Sequence, residues 1–169
     1  PLRGAALVVA AGRPLATAVP RAAGWVGLPG PEDRSLAALA EDDAGNFGAG
    51  GNNAKQAGNA LLLRPAGSAA FHAVPLNLDG PSTVNSMAFG PANALYVGTQ
   101  AHGLLRVASA GAGYQVSAIP LPQGEPQEQI NPVLHDAKGR WWVAGMAGLA
   151  YFGCGRWRRF GKADGVGGR

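Results

Sequence analysis

The 169-residue sequence predicts an all-β chain of β-propeller blades, each of four antiparallel strands: about three complete blades plus a partial one, an open fragment of a larger propeller. Three observations predict it. Leu36–Phe47, Val84–Leu95 and Ile130–Trp141 align without a gap, their starts 48 and 46 residues apart, the spacing of a repeat array. Within each, apolar residues stand at the first and fourth positions and an aromatic or Leu at the twelfth, with a turn between. Gly and Pro number 27 and 13, a density that breaks long helices and suits short strands joined by turns.

Residues 1–33 read as a partial blade, with Leu7-Val8-Val9, Leu15 to Val19 and Trp25-Val26 as its second, third and fourth strands. The blade at 34–81 opens near Leu36 and reverses through Asp42-Asp43-Ala44-Gly45. Its second strand, Phe47-Gly48-Ala49-Gly50, is degraded, and a swollen turn with Asn52, Asn53, Lys55 and Gln56 leads to Leu61–Arg64 and Phe71–Val74. The blade at 82–128 reverses through Gly90-Pro91-Ala92-Asn93 and continues as Leu95–Thr99, Gly103–Val107 and Tyr114–Val116. Residues 129–169 hold the last blade and the start of a linker: a turn at Asp136-Ala137-Lys138-Gly139, then Trp141–Gly145, Gly148–Phe152, Trp157–Phe160 and the linker Asp164-Gly165-Val166. Asp at the first turn position accepts from the backbone two residues on, and Gly or Asn at the fourth tolerates positive φ, so each reversal makes a hairpin. Blades are expected to start near Arg34, Ser82 and Gln129, with no helix longer than two turns between residues 84 and 160.

Hydrophobic residues make up 47% and charged ones 14%, so the chain has material for a core and is not compositionally disordered. The longest apolar run, Ala5 to Ala11, is far short of the ~20 residues that span a bilayer, and no targeting segment is assigned. The lone Cys154 excludes an intrachain disulfide framework. Charge is uneven: residues 1–137 carry 7 basic and 9 acidic side chains, net −2, and residues 138–169 carry 7 basic against Asp164 alone, net +6. The cluster Arg156, Trp157, Arg158 and Arg159 has the charge for nucleic acid or anionic lipid. No nucleic-acid motif accompanies it, and a solvated strand whose arginines keep its edge from pairing is the preferred reading.

No constellation points to catalysis or a cofactor. His72, His102 and His135 fall at three different places in the repeat and should not converge on one metal ion. The Asp42-Asp43 pair is explained by its turn. Gly48-Ala49-Gly50-Gly51 lacks the strand-to-helix context of a phosphate loop, and Cys154 beside Arg156 is a turn cysteine. Trp141-Trp142 alternate faces on a strand, so one packs between blades and the other faces the neighbouring sheet. The better place for function is one rim, where the fourth-to-first and second-to-third strand loops open together. These loops, Gly51 to Asn59, Asn77 to Asn85, Gln100 to His102 and Gln123 to Asn131, are polar. They give Asn52, Asn53, Asn85, Gln100, His102 and Asn131 as ligand-binding candidates. Asn85 and Asn131 are equivalent, at the start of the inner strand, where capping backbone groups is the alternative role.

Ile130 to Phe152 resembles the repeat of two-component regulator propellers, in which Asn, apolar positions and Asp-x-x-Gly precede Leu-Trp-Val-Gly-Thr and Gly-Leu. Asn131, Asp136, Gly139, Trp142, Val143, Gly148 and Leu149 fall on that pattern, as do Asn85, Tyr96, Val97, Gly98, Thr99, Gly103 and Leu104. Trp157 to Phe160 and Asp164-Gly165-Val166 match the aromatic strand and linker that usually follow. The departures are Gly48 and Ala49 where Trp-Val belong, Ala144 for Gly and Gly90 for Asp. The resemblance implies a non-catalytic sensory segment of a bacterial signalling protein, periplasmic or otherwise extracytoplasmic, whose parent carries a membrane span and a histidine kinase or diguanylate cyclase output. It implies a small molecule, a glycan or an envelope protein as partner, together with the rest of the parent propeller, and no cofactor or nucleic acid. A propeller enzyme of the lyase or lactonase type and a pure interaction scaffold are the alternatives. The isolated chain is expected to be an open arc that self-associates through uncovered blade faces.

Overall fold

The computed structural model describes residues 7–9, 16–18, 25–27, 35–52, 61–80, 83–122, 129–145 and 148–166. Three strands, β1 (Leu7–Val9), β2 (Ala16–Ala18) and β3 (Trp25–Gly27), form an antiparallel sheet at the positions assigned to the partial blade. Three four-stranded antiparallel sheets follow. The first holds β4 (Ser35–Glu41), β5 (Phe47–Asn52), β6 (Leu61–Arg64) and β7 (His72–Val74). The second holds β8 (Val84–Phe89), β9 (Leu95–Thr99), β10 (Leu104–Ala110) and β11 (Gly113–Ile119). The third holds β12 (Val133–His135), β13 (Trp141–Gly145), β14 (Gly148–Gly153) and β15 (Arg156–Phe160). In each, sequence order is spatial order, and the described residues contain only short 3₁₀ turns as helix. This is the blade pattern that the repeat predicts.

The turns follow their chemistry. The Asp42 carboxylate accepts from the N–H groups of Ala44 at 3.0 Å and Asn46 at 2.8 Å, and that of Asp136 from Lys138 at 2.9 Å and Arg140 at 3.0 Å. Gly45, Asn93 and Gly139, fourth in their turns, have φ of 90°, 56° and 73°. In the second sheet, where Gly90 replaces the Asp, the reversal is a 3₁₀ turn at Pro91–Asn93.

Alternation along each strand divides its side chains between two faces, and the core lies between successive sheets. Leu61, Leu63 and Val74 meet Val84, Met87, Leu95 and Val97 across the first pair. Ile130, Val133, Trp141 and Val143 meet Leu104, Tyr96 and Ala88 across the second. The strand Phe47–Asn52 reads from sequence as degraded, but it pairs with both neighbours and its residues 47–51 are buried. Its small residues serve the packing. A β-carbon on Gly50 would come within 2.6 Å of both Val84 and Met87, so the absent side chain is the space that the next sheet fills.

Trp141 lies between the second and third sheets, stacked on Tyr96 at 3.6 Å and on His135 at 4.4 Å. Trp142 lies on the opposite face with Tyr151 and Phe160. Its indole N–H donates to Asp136 at 2.7 Å, and the Arg140 guanidinium donates to the same carboxylate oxygen at 2.7 Å. The Trp142 bond is the largest cause; desolvation opposes it, and the Arg140 N–H, its guanidinium and the Lys138 N–H add to it, so that the Asp136 carboxyl is held well below its ordinary value of 3.8. A carboxyl lowered on folding adds stability above its unfolded value, and that contribution is lost as pH falls below about 4 towards the folded value. Asp136→Asn should therefore flatten the acid limb of stability between about pH 5 and pH 2. Thermal melts of both proteins across that range check it; an unchanged slope would show that Asp136 is not the titrating group.

Candidate functional site

The rim at the fourth-to-first and second-to-third loops is built by strand ends that bond to one another. Asn52 closes β5, is exposed and pairs as an isolated bridge with Thr83. The N–H of Gln100, exposed after β9, donates to the Thr83 carbonyl at 2.9 Å. The N–H of Ile130 donates to the Thr99 carbonyl at 2.9 Å, joining the second sheet to the segment that leads into the third. Asn52 and Gln100 thus meet at Thr83 through the backbone, and Asn85 bonds to the carbonyl of Ile130, the residue before Asn131. Asn53 lies outside the described residues, as do most of the loops 51–59 and 123–131.

Asn85 owes its position to a bulge. Val84 pairs with Thr99 and Ser86 with Gly98, so Asn85 is the unpaired extra residue, and the first sheet has a matching irregularity between Leu36 and Ala38. The half-buried Asn85 donates from Nδ2 to the Ile130 carbonyl at 3.4 Å. It does cap a backbone group. Asn131 precedes β12 rather than opening it, is exposed, and donates its N–H to Ala144 at 2.8 Å.

His102 sits in the turn between β9 and β10. Its N–H donates to Thr99 Oγ1 at 2.9 Å, and its Nε2 lies 3.0 Å from the carbonyl oxygen of Asp79 in the preceding loop. Thr99, fully buried, donates in turn to the Gly103 carbonyl at 2.9 Å. Its place in the Leu-Tyr-Val-Gly-Thr strand was the available signal for this anchoring role. Ser86 Oγ and His102 Nδ1 are buried without a hydrogen-bond partner, a deficit that sequence could not indicate.

The other histidines are elsewhere, His72 exposed on β7 and His135 against Trp141. Among the described residues, no three His, Cys, Asp or Glu side chains come together in a way that could hold a metal ion. Asp42 is engaged in its turn through both carboxylate oxygens. Cys154 is exposed in the β14–β15 turn, and β15, with Arg156, Arg158 and Arg159, forms an edge of the third sheet. At the opposite rim a cleft of about 140 Å³ lies between the first and second sheets, lined in part by Asn46, Arg64, Pro65, Asn93 and Tyr114. The Arg64 guanidinium lies 5.6 Å and 5.8 Å from the ring centres of Phe47 and Phe71. This cleft was not foreseen.

The architecture has solved counterparts. The extracellular domain of the hybrid two-component system BT4673 from B. thetaiotaomicron superimposes with a TM-score of 0.69 at 19% identity, over 94% of this chain and 21% of that one. Streptogramin B lyase gives 0.64 at 13% identity, over 90% of this chain and 53% of that one. YCF48 from Cyanidioschyzon merolae gives 0.62 at 15% identity, over 98% and 62%. At these identities the likeness establishes the fold. No family model matches the sequence. No curated protein matches it either. The chain spans about a fifth of the BT4673 domain and between half and two thirds of the other two.

Proposed function

We propose that this chain is the non-catalytic, ligand- or partner-binding part of a sensory propeller in a bacterial signal-transduction protein, working outside the cytoplasm. The observation that carries this reading is the amide-rich rim of Asn52, Asn85, Gln100 and Asn131, with His102 anchored beside it. A side-chain amide carries an acceptor oxygen and two N–H donors, matching a hydroxyl, which is both donor and acceptor; in Asn85 one of those donors is engaged by the Ile130 carbonyl. None of the four brings a charge. The rim therefore suits an uncharged, hydroxyl-bearing small molecule or glycan better than an anion. The structural likeness to the BT4673 extracellular domain supports a sensory setting, with a kinase or cyclase output and a membrane span supplied by the parent protein. A lyase reading has the likeness to streptogramin B lyase on its side.

Chemical-shift mapping with a panel of neutral oligosaccharides and polyols tests the site. Shifts should cluster on Asn85, Gln100, His102 and Asn131. Asn85→Ala and Asn131→Ala should each weaken binding about fivefold, the worth of ~1 kcal/mol for a hydrogen bond. Shifts centred on the cleft at Asn46 and Arg64, or selective binding of an envelope protein with no response to any sugar or polyol, would overturn the ligand class. Turnover of an offered ligand would favour the lyase reading.

A further inference from the structure

Among the described residues, no sheet packs over the outer face of the third four-stranded sheet, and the chain shows twice how such a face is covered. Strand register makes the sheets equivalent: Ala40, Ala88 and Leu134 correspond, as do Gly48, Tyr96 and Trp142. In the first and second sheets this face packs against the sheet that follows. In the third, Leu134 is 57% exposed. Trp142, Tyr151 and Phe160 contact one another there, with Arg140 over Trp142 and Arg158 over Phe160.

Both covered faces share a seat. The residue opening the second strand of a sheet, five positions after the first residue of its turn, faces the preceding sheet. Trp141 sits on Gly90 so closely that a β-carbon there would come within 2.1 Å of Trp141 Cζ2. In the first sheet Asp42 stands where Gly90 stands, and the next sheet brings Leu95 where the third brings Trp141. A turn that opens with Gly is followed by Trp, and one that opens with Asp by Leu. The third sheet opens its turn with Asp136, whose side chain holds the Trp142 indole and the Arg140 guanidinium.

We propose that this face is a docking surface for a further four-stranded blade carried on the same polypeptide, and that its seat selects a Leu-sized aliphatic residue over tryptophan at the start of that blade's second strand. The space that Gly90 leaves for an indole is occupied here by the Asp136 side chain. Both existing interfaces join sheets consecutive in the chain, and the second begins with a linker that is hydrogen-bonded across the rim. A second copy docking through the same face would bring Arg158 towards its own counterpart, a like-charge arrangement, whereas Arg140 is already paired with Asp136.

The test reads thiol labelling at position 134 in a Leu134→Cys, Cys154→Ser chain, with and without an appended copy of residues 82–128, the blade that carries Leu95. The appended blade should slow labelling by about tenfold or more. The same extension carrying Leu95→Trp should leave labelling as fast as in the unextended chain, and Asp136→Gly in the third sheet of that extended chain should restore protection. Equal protection by the Leu and Trp extensions, or protection by neither, would overturn the proposal. Failure of Asp136→Gly to restore protection would overturn the seat. Slowing in the unextended chain that grows with protein concentration would assign the face to a second copy instead.

Discussion

Gly90→Ala is expected to force the Trp141 ring off its seat and to lower stability by ~1–3 kcal/mol or more, the range for overpacking a well-filled core. The introduced methyl would stand 2.1 Å from Cζ2 and 2.6 Å from Cη2 of a ring that stacks on both Tyr96 and His135. Rotation of the indole is not a cheap escape, because Trp141 is only 7% exposed and packs into the cluster of Ile130, Val133 and Val143. Urea melts of Gly90→Ala, Trp141→Leu and the double variant form a cycle. Trp141→Leu costs stability of its own by leaving a cavity. In its presence the added methyl should cost little, giving a coupling of roughly 0.5–3 kcal/mol. Additive effects would mean that the close approach between the two sheets is relieved elsewhere.

The second large effect concerns two leucines of opposite circumstance. Leu61 on β6 is fully buried between the first and second sheets, and Leu61→Ala should cost about 2–5 kcal/mol through lost transfer energy and the residual cavity. Leu134, on the uncovered face, is 57% exposed, and Leu134→Ala should change stability by no more than about 0.5 kcal/mol. Denaturant midpoints of the two variants check the contrast. A cost at Leu134 comparable with that at Leu61 would show that the face is covered in solution.

The strands were legible because turn chemistry and face alternation are local. Asp-x-x-Gly at a fixed offset announces its hairpin, and the structure realises it at Asp42 and Asp136 with the expected carboxylate-to-backbone bonds. Gly48 and Gly50 show where such reading stops. A strand without side chains looks weak by propensity, yet the partners that make it a strand, Met87 and Val84, arrive from the next sheet. The rim was legible as a set of polar loops. That Asn85 bonds across to Ile130 follows from a bulge, which strand alternation alone does not reveal. Thr99 was visible as a strand residue, but its grip on His102 depends on a turn formed from both sides. The cleft at Arg64 needs four separate turns brought together, and no window of sequence contains them.

Among the described residues, the backbone hydrogen bonds that pass from one four-stranded sheet to the next all lie at the amide-bearing rim: the Asn52–Thr83 bridge and the Ile130–Thr99 bond. Towards the opposite rim the sheets meet through side chains, which slide more easily than hydrogen-bonded backbone. Mechanically, the assembly is bound like a book, with its spine along Asn52, Thr83, Thr99 and Ile130. Its compliance is therefore directional. A tilt of the first sheet against the second would pivot on that spine and open the margin where Asn46, Pro65 and Asn93 border the cleft, whereas between the second and third sheets the seat of Trp141 on Gly90 closes that margin.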